Sequence, residues 1–244
     1  MAIKTIRLPN GRELEIGEWL QWPIYSAVEI ARNATVDLRA FAYVVGQRVP
    51  QTAPAPTGAG VANRNATEAD TNQTAKARMN HDEAFVAYSL TYEHFALLNA
   101  QTYANVPTDL PATRPVLTGT DLRKLQMECM LELSVGADIN KPQIRAPLSY
   151  YGQAIGSPAY CSGDAVNVAV GASTTMNFAY GTAGAINPRN QRRWQLPVYI
   201  HPDRVFTARI HSPAGPPGTR AGRVLDQDVQ LKFYLDGIKR RPVA

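Results

Sequence analysis

Near its end the chain reads DVQLKFYLDG, residues 228 to 237. Val229, Leu231, Phe233 and Leu235 alternate without a break with Gln230, Lys232, Tyr234 and Asp236. A period of two is the signature of a strand with one face on a core and the other outward, because successive side chains leave the backbone on opposite sides. The N-terminal end obeys the same rule. IKTIRLPNGRELEIG predicts a hairpin that turns at Pro9-Asn10-Gly11 and joins Ile6 and Leu8 to Leu14 and Ile16. TVDLRAFAYVVG puts Val36, Leu38, Ala40, Ala42 and Val44 on one face and Asp37 and Arg39 on the other.

Between these ends the pattern changes three times. WPIYSAVEIARN reads equally as a strand or a short helical turn. Residues 50–80 are rich in Pro, Ala, Thr, Asn and Gly, hold no aromatic residue and offer a core almost nothing. They are expected to form a long flexible loop, or an arm around a neighbouring subunit. In NHDEAFVAYSLTYEHFALLNAQTY, Phe85, Tyr88, Tyr92 and Phe95 recur at steps of three and four, which predicts a helix. The alternation of Val86, Tyr88, Leu90 and Tyr92 keeps a strand open for residues 81–101. TGTDLRKLQME predicts a second helix, with Thr118 and Asp121 at capping-box spacing. It runs into CMLELSVG, where Cys129, Leu131, Leu133 and Val135 alternate like a strand.

From Pro142 onward every segment reads as β: QIRAPLSYYGQ, TTMNFAYG, WQLPVYI, RVFTARI and the last strand, with His201-Pro202-Asp203 as a turn. About ten short strands around a partly helical insertion describe a mainly β chain. The expected fold is a jelly-roll type antiparallel β-sandwich formed by residues 1–244 as a single domain, with a loop or arm at 50–80 and a helical insertion at 81–128.

Chemistry is hard to find. The four histidines show no metal-binding spacing, although His201 and His211 are placed to meet across adjacent antiparallel strands. The carboxylate pairs Glu13/Glu15 and Asp226/Asp228 read as solvated strand edges. GTAGAIN follows a strand without opening a helix and is no phosphate cradle. Cys129 lies in an apolar run and reads as a buried free thiol. The expectation is therefore no enzyme, no cofactor and no metal. With no signal-like apolar region and no apolar run near the ~18–20 residues that span a bilayer, the chain reads as made in a cytoplasm.

The formal charge of +5 is mild, and the basic residues are spread along the chain. The densest basic groups are NPRNQRRW, with Arg189, Arg192, Arg193 and Trp194, and the tail IKRRPVA, with Lys239, Arg240 and Arg241. Stacking single strands would require aromatics spaced along a basic groove, and only Trp194 adjoins the first group. These seven residues are assigned to a subunit interface or basic patch, where arginine's planar fork pairs carboxylates. Any nucleic-acid contact is expected to be independent of sequence.

RRWQLPVYIHPDRVFTARIHSPAG followed by VLDQDVQLKFYLDGIKRRPVA, roughly residues 190 to 244, resembles the closing strands of jelly-roll capsid proteins of icosahedral bacteriophages. The likeness lies in a polar–Leu-Pro–strand–Pro turn–strand unit before a final strand ending in LDG and RPV. It implies a virion subunit that self-assembles into an icosahedral shell or coats one, a homo-oligomer whose partners are its own copies and other virion proteins. It supplies no catalytic residues. About ten strands fall short of the roughly sixteen of a double jelly roll, which favours a single one or a minor or decorating protein. The alternative is a carbohydrate- or receptor-binding β-sandwich, with Tyr150, Tyr151, Tyr160, Tyr180 and Trp194 as stacking faces.

Overall fold

The computed structural model describes residues 5–7, 13–15, 19–31, 34–52, 64–81, 83–97, 122–136, 141–153, 160–162, 179–181, 193–217, 225 and 228–240. Its strands are β1 (Thr5–Arg7), β2 (Glu13–Glu15), β3 (Trp19–Gln21), β4 (Ile24–Ile30), β5 (Asp37–Ala40), β6 (Phe85–Leu97) and β7 (Met130–Val135). They continue as β8 (Ile144–Pro147), β9 (Gly152–Gln153), β10 (Tyr160–Ser162), β11 (Ala179–Gly181), β12 (Val198–Ile200), β13 (Phe206–His211) and β14 (Asp228–Arg240). The molecule is mainly β and sandwich-like. A six-stranded sheet has β6 and β14 at its centre, β12 and β9 beyond β6, and β4 and β3 beyond β14. A four-stranded sheet runs β5-β13-β7-β8. Among the described strands the short β6–β9 pairing is parallel and the others are antiparallel. Two ribbons, β1-β2 and β10-β11, stand outside both sheets; the first has Ile6 opposite Leu14, as the alternation predicts.

β14 follows its sequence pattern. Val229, Leu231, Phe233 and Leu235 are fully buried, while Gln230, Lys232, Tyr234 and Asp236 lie on the half-covered outer face. Along one side β14 pairs with β4 and then β3 in a single register, Leu235 opposite Ile24 and Ile238 opposite Gln21. The interruption falls at Trp22-Pro23. Proline cannot donate to a ladder, and the Trp22 amide restores one bond by donating to the Gly237 carbonyl at 3.1 Å. IYSAVEI is thus a strand, which settles the first ambiguity.

The first predicted helix is corrected: Phe85–Leu97 is a thirteen-residue central strand. Two features disguise it. The register against β14 shifts between Asp236 and Gly237, so Tyr88 is an extra, unmatched residue in β6. Core positions therefore fall at Phe85, Ala87, Leu90 and Tyr92; the bulge breaks the period of two, and Tyr88, which completed the helical spacing, is its unmatched residue. The outer face of β6 is also covered, leaving Ser89, Thr91 and Glu93 buried. The second predicted helix forms over residues 122–128, with Leu122 and Leu125 buried; its proposed caps Thr118 and Asp121 lie outside the described residues.

The 50–80 segment is likewise more than a core-poor excursion. Residues 53–63 lie outside the described residues, but Ala66, Asp70, Thr71 and Gln73 are buried. Residues 64–81 run over the outer side of β4: Ala27 N donates to the Asp70 carbonyl at 2.9 Å, and Tyr25 N to Asn72 Oδ1 at 2.9 Å. Arg64 fastens this layer. It bonds Asp70 through both terminal nitrogens, at 2.7 and 2.6 Å, and Glu29 through Nε at 2.8 Å.

In the four-stranded sheet, Leu38 and Ala40 are buried and Asp37 and Arg39 exposed, as expected. The strand stops at Ala40, however, because Phe41 takes a left-handed conformation (φ 62°) with its ring buried. β13 pairs with β5 and β7, Arg209 lying 2.7 Å from Asp37. β12 belongs to the other sheet, so His201 and His211 do not face each other across paired strands; His211 sits opposite Asp37 and Met130. QIRAPLSYYGQ is not one strand but β8, a 3-10 turn over Leu148–Tyr150, and β9. Asp228 is buried instead of solvated; Asp226 and the side chains of Glu13 and Glu15 lie outside the described residues. One apolar cluster from both sheets fills the interior, with Val28, Tyr92, Leu131, Phe206, Ile210 and Phe233 at its centre.

Candidate binding cleft

The β6 bulge also builds the best candidate site. An unmatched residue frees its backbone groups from the ladder, and the Tyr88 carbonyl accepts the Trp194 amide at 2.8 Å. That bond anchors the segment leading into β12 and half-buries Trp194 against the main core. Across the bulge, β14 needs glycine. A Cβ on Gly237 would lie 2.1 Å from the Val86 carbonyl oxygen and 2.6 Å from the Phe85 ring.

Trp194 forms part of the wall of an open cleft of about 970 Å³ at the edge where β12 of one sheet approaches β7 and β8 of the other. Arg193, Gln195, Leu196 and Tyr199 continue that side; Val135, Gln143, Ile144 and Tyr150 come from the four-stranded sheet and the turn after it. His201 and Arg204 contribute from the β12–β13 turn. The turn is tight: Asp203 is left-handed (φ 58°), and His81 Nδ1 lies 2.7 Å from its carboxylate. Tyr199 and His201 meet edge to face at 4.3 Å, and Tyr150 meets Tyr151 at 5.6 Å.

The cleft is cationic. Among the described residues its charged lining is Arg193 and Arg204, both exposed, with no Asp or Glu. Behind it, burial pushes the Asp236 carboxyl upward, opposed by hydrogen bonds from Ser89 and Thr91 and by the charge of Arg193. Burial likewise raises the Tyr88 phenol against the pull of Arg193.

Of the seven residues of the sequence-derived patch four are described, and they divide between two places. Arg193 and Trp194 line the cleft. Lys239 lies at the end of β14 with Nζ 2.5 Å from Glu83, and Arg240 is exposed beside it, its amide bonded to the Ala84 carbonyl at 2.8 Å. Arg189, Arg192 and Arg241 lie outside the described residues. Of the proposed stacking aromatics, Tyr150 and Trp194 share the cleft. Tyr151 is buried and donates to the Leu131 carbonyl at 2.9 Å. Tyr160 and Tyr180 are on the β10-β11 ribbon, their side chains outside the described residues. Sequence reasoning missed Tyr199 and Arg204, whose only signal was their place on either side of the His-Pro-Asp turn. Cys129 is a buried free thiol, as expected, and burial pushes it up to about 12.

Among the described residues no group of three His, Cys, Asp or Glu is placed to hold a metal ion, and no helix is long and apolar enough to cross a membrane. The class that fold and site define is a mainly β, sandwich-like protein with a cationic, aromatic cleft at one edge. No family model, curated protein or solved structure matches the chain.

Proposed function

We propose that this chain is a virion structural protein of jelly-roll type, a subunit that self-assembles into an icosahedral phage shell or coats one. The observation that carries this reading is strand order. A jelly roll is a long four-pair hairpin rolled up so that its strands alternate between two sheets. Numbering β4, β5, β6, β7, β8, β12, β13 and β14 from one to eight, the hairpin pairs would be 1-8, 2-7, 3-6 and 4-5, joined on rolling by 8-3 and 7-4. β4-β14, β5-β13, β6-β12 and β7-β8 are paired antiparallel, and so are β14-β6 and β13-β7. All six pairings support the jelly-roll reading.

Fold does not dictate function, since jelly rolls also serve as lectins and cupins. Support for a shell role comes from where this chain spends its residues. The interior is filled by Phe85, Tyr92, Phe206 and Phe233, all fully buried, so recognition falls to the edges and outer faces. Arg193 and Arg240 are exposed there and in this reading meet neighbouring copies or other virion proteins. The protein is then made in the host cytoplasm and resides in the virion. Light scattering and negative-stain electron microscopy of the purified chain test it: closed particles or defined oligomers are expected, and a monomer at every concentration that never joins particles would refute it.

One observation favours a second reading, a carbohydrate- or receptor-binding module: Tyr150 and Trp194, far apart in sequence, line a single cleft together with Tyr199.

A further inference from the structure

We infer that this cleft takes an acidic saccharide, a sugar bearing a carboxylate or sulfate group. The inference rests on the binding-module reading and names its ligand class; it does not depend on shell assembly.

Three features of the cleft converge on that class. Its volume of about 970 Å³ is on the scale of small-ligand sites, which run from roughly 300 to 1,000 Å³, so a short oligosaccharide fits and a folded partner does not. Among the described residues its charge is of one sign: Arg193 and Arg204 come from opposite ends of the β12 segment to the same space, and no described carboxylate is in the lining. Arg204 makes no ion pair among the described residues, and the guanidinium fork suits a planar carboxylate or a sulfate. The lining also holds rings and amides: Trp194, Tyr150 and Tyr199 supply aromatic surface for the C–H side of a pyranose, and Gln143 and Gln195 supply donors and acceptors for its hydroxyls.

A nucleotide shares the need for a cation and a ring but fits less well. Tyr150 and Tyr199 are each engaged edge to face, with Tyr151 at 85° and His201 at 84°. Neither pair forms parallel rings that would sandwich a base.

Isothermal titration of the full chain with sialyllactose, a heparin-derived disaccharide, lactose and adenosine monophosphate tests the inference. The carboxylated and sulfated probes separate the two acidic sources. At least one should bind about tenfold or more tighter than lactose, the usual scale of a charge-assisted hydrogen bond. The Arg193→Gln/Arg204→Gln double variant, altered only at exposed positions, should bind both acidic probes no better than lactose. Equal binding of lactose and the acidic sugars would overturn the inference and leave the binding-module reading standing. No binding of any sugar would overturn both, and preference for the nucleotide would overturn the inference in favour of a phosphate site.

Discussion

Replacing Arg64 with alanine should unlatch the layer formed by residues 64–81 from β4. The Arg64 side chain is 37% exposed, but the carboxylates it joins are not: Glu29 is 1% exposed and Asp70 6%. Glu29 Oε2 already lacks a hydrogen-bond partner, so the variant would leave two buried carboxylates facing each other. Removing one partner from a buried ion pair typically costs about 3–5 kcal/mol. Screening of the part-exposed guanidinium lowers that to roughly 2–3 kcal/mol here. In a chain of this size that corresponds to a fall in Tm of about 4–12 °C.

The pH dependence separates this electrostatic cause from lost packing. In the native protein burial pushes Asp70 up, but hydrogen bonds from Arg64 and Thr67 outweigh it and hold the carboxyl well below the usual range. Its contribution to stability is therefore complete above the unfolded value near 4 and fades only as pH falls below it. Burial raises Glu29 more than Arg64 lowers it, so ionised Glu29 opposes folding as pH rises through its native value. Without Arg64 both groups shift upward, and their cost is greatest near pH 7 and relieved as they protonate. Urea denaturation of both proteins at equal concentration, at pH 7 and at pH 4.5, should show the gap narrowing in acid. A gap below about 0.5 kcal/mol at pH 7, or one unchanged between the two pH values, would refute the reasoning.

Three further outcomes are expected. Gly237→Ala places a Cβ against the Val86 carbonyl and Phe85 ring and should destabilise the fold by roughly 1–3 kcal/mol or more, measured by thermal denaturation; a wild-type Tm would exclude the packing described at the bulge. Cys129, raised by burial to about 12, should resist aromatic disulfide reagents at pH 8 until the chain is unfolded; rapid labelling of the native protein would contradict its burial. His94 faces the interior opposite Leu231, both ring nitrogens without hydrogen-bond partners, and burial lowers it to about 4. Stability it confers as a neutral ring is whole above the unfolded value near 6.5 and declines between there and about 4, by on the order of 3 kcal/mol. His94→Phe should flatten that decline in denaturation curves, and an unaltered pH profile would assign the acid sensitivity elsewhere.

The ends of the chain were legible because their strands obey a local rule. β14 has one face on the core and one half-covered, so its alternation survives as a plain period of two, and Leu38 and Ala40 in β5 alternate with exposed Asp37 and Arg39. Leu131 and Leu133 in β7 were legible because the buried positions beside them are the polar Glu132 and Ser134. β6 was illegible for a matching reason. Phe85, Val86 and Ala87 are all apolar and buried, so the start of the strand carries no polar-apolar contrast, and the bulge at Tyr88 puts the outer positions Ser89, Thr91 and Glu93 out of step with Val86. Residues 64–81 deceived in the other direction: a segment poor in large apolar residues is held by Arg64, Asp70 and backbone bonds to β4, none of which hydropathy registers. Of the cleft, Arg193 and Trp194 were visible as neighbours in sequence. Tyr150, Tyr199 and Arg204 joined them only through folding.

The sequence by itself determined that this protein is mainly β, which face of its last strand turns inward, and that Cys129 is buried, because each depends on the contrast between a residue and its near neighbours. Tertiary structure alone decided which sheet each strand enters, where the bulge falls and which side chains share the cleft. Those outcomes depend on pairings such as β14 with β4, between opposite ends of the chain, and a backbone hydrogen bond across a sheet carries no record of itself in the order of the residues.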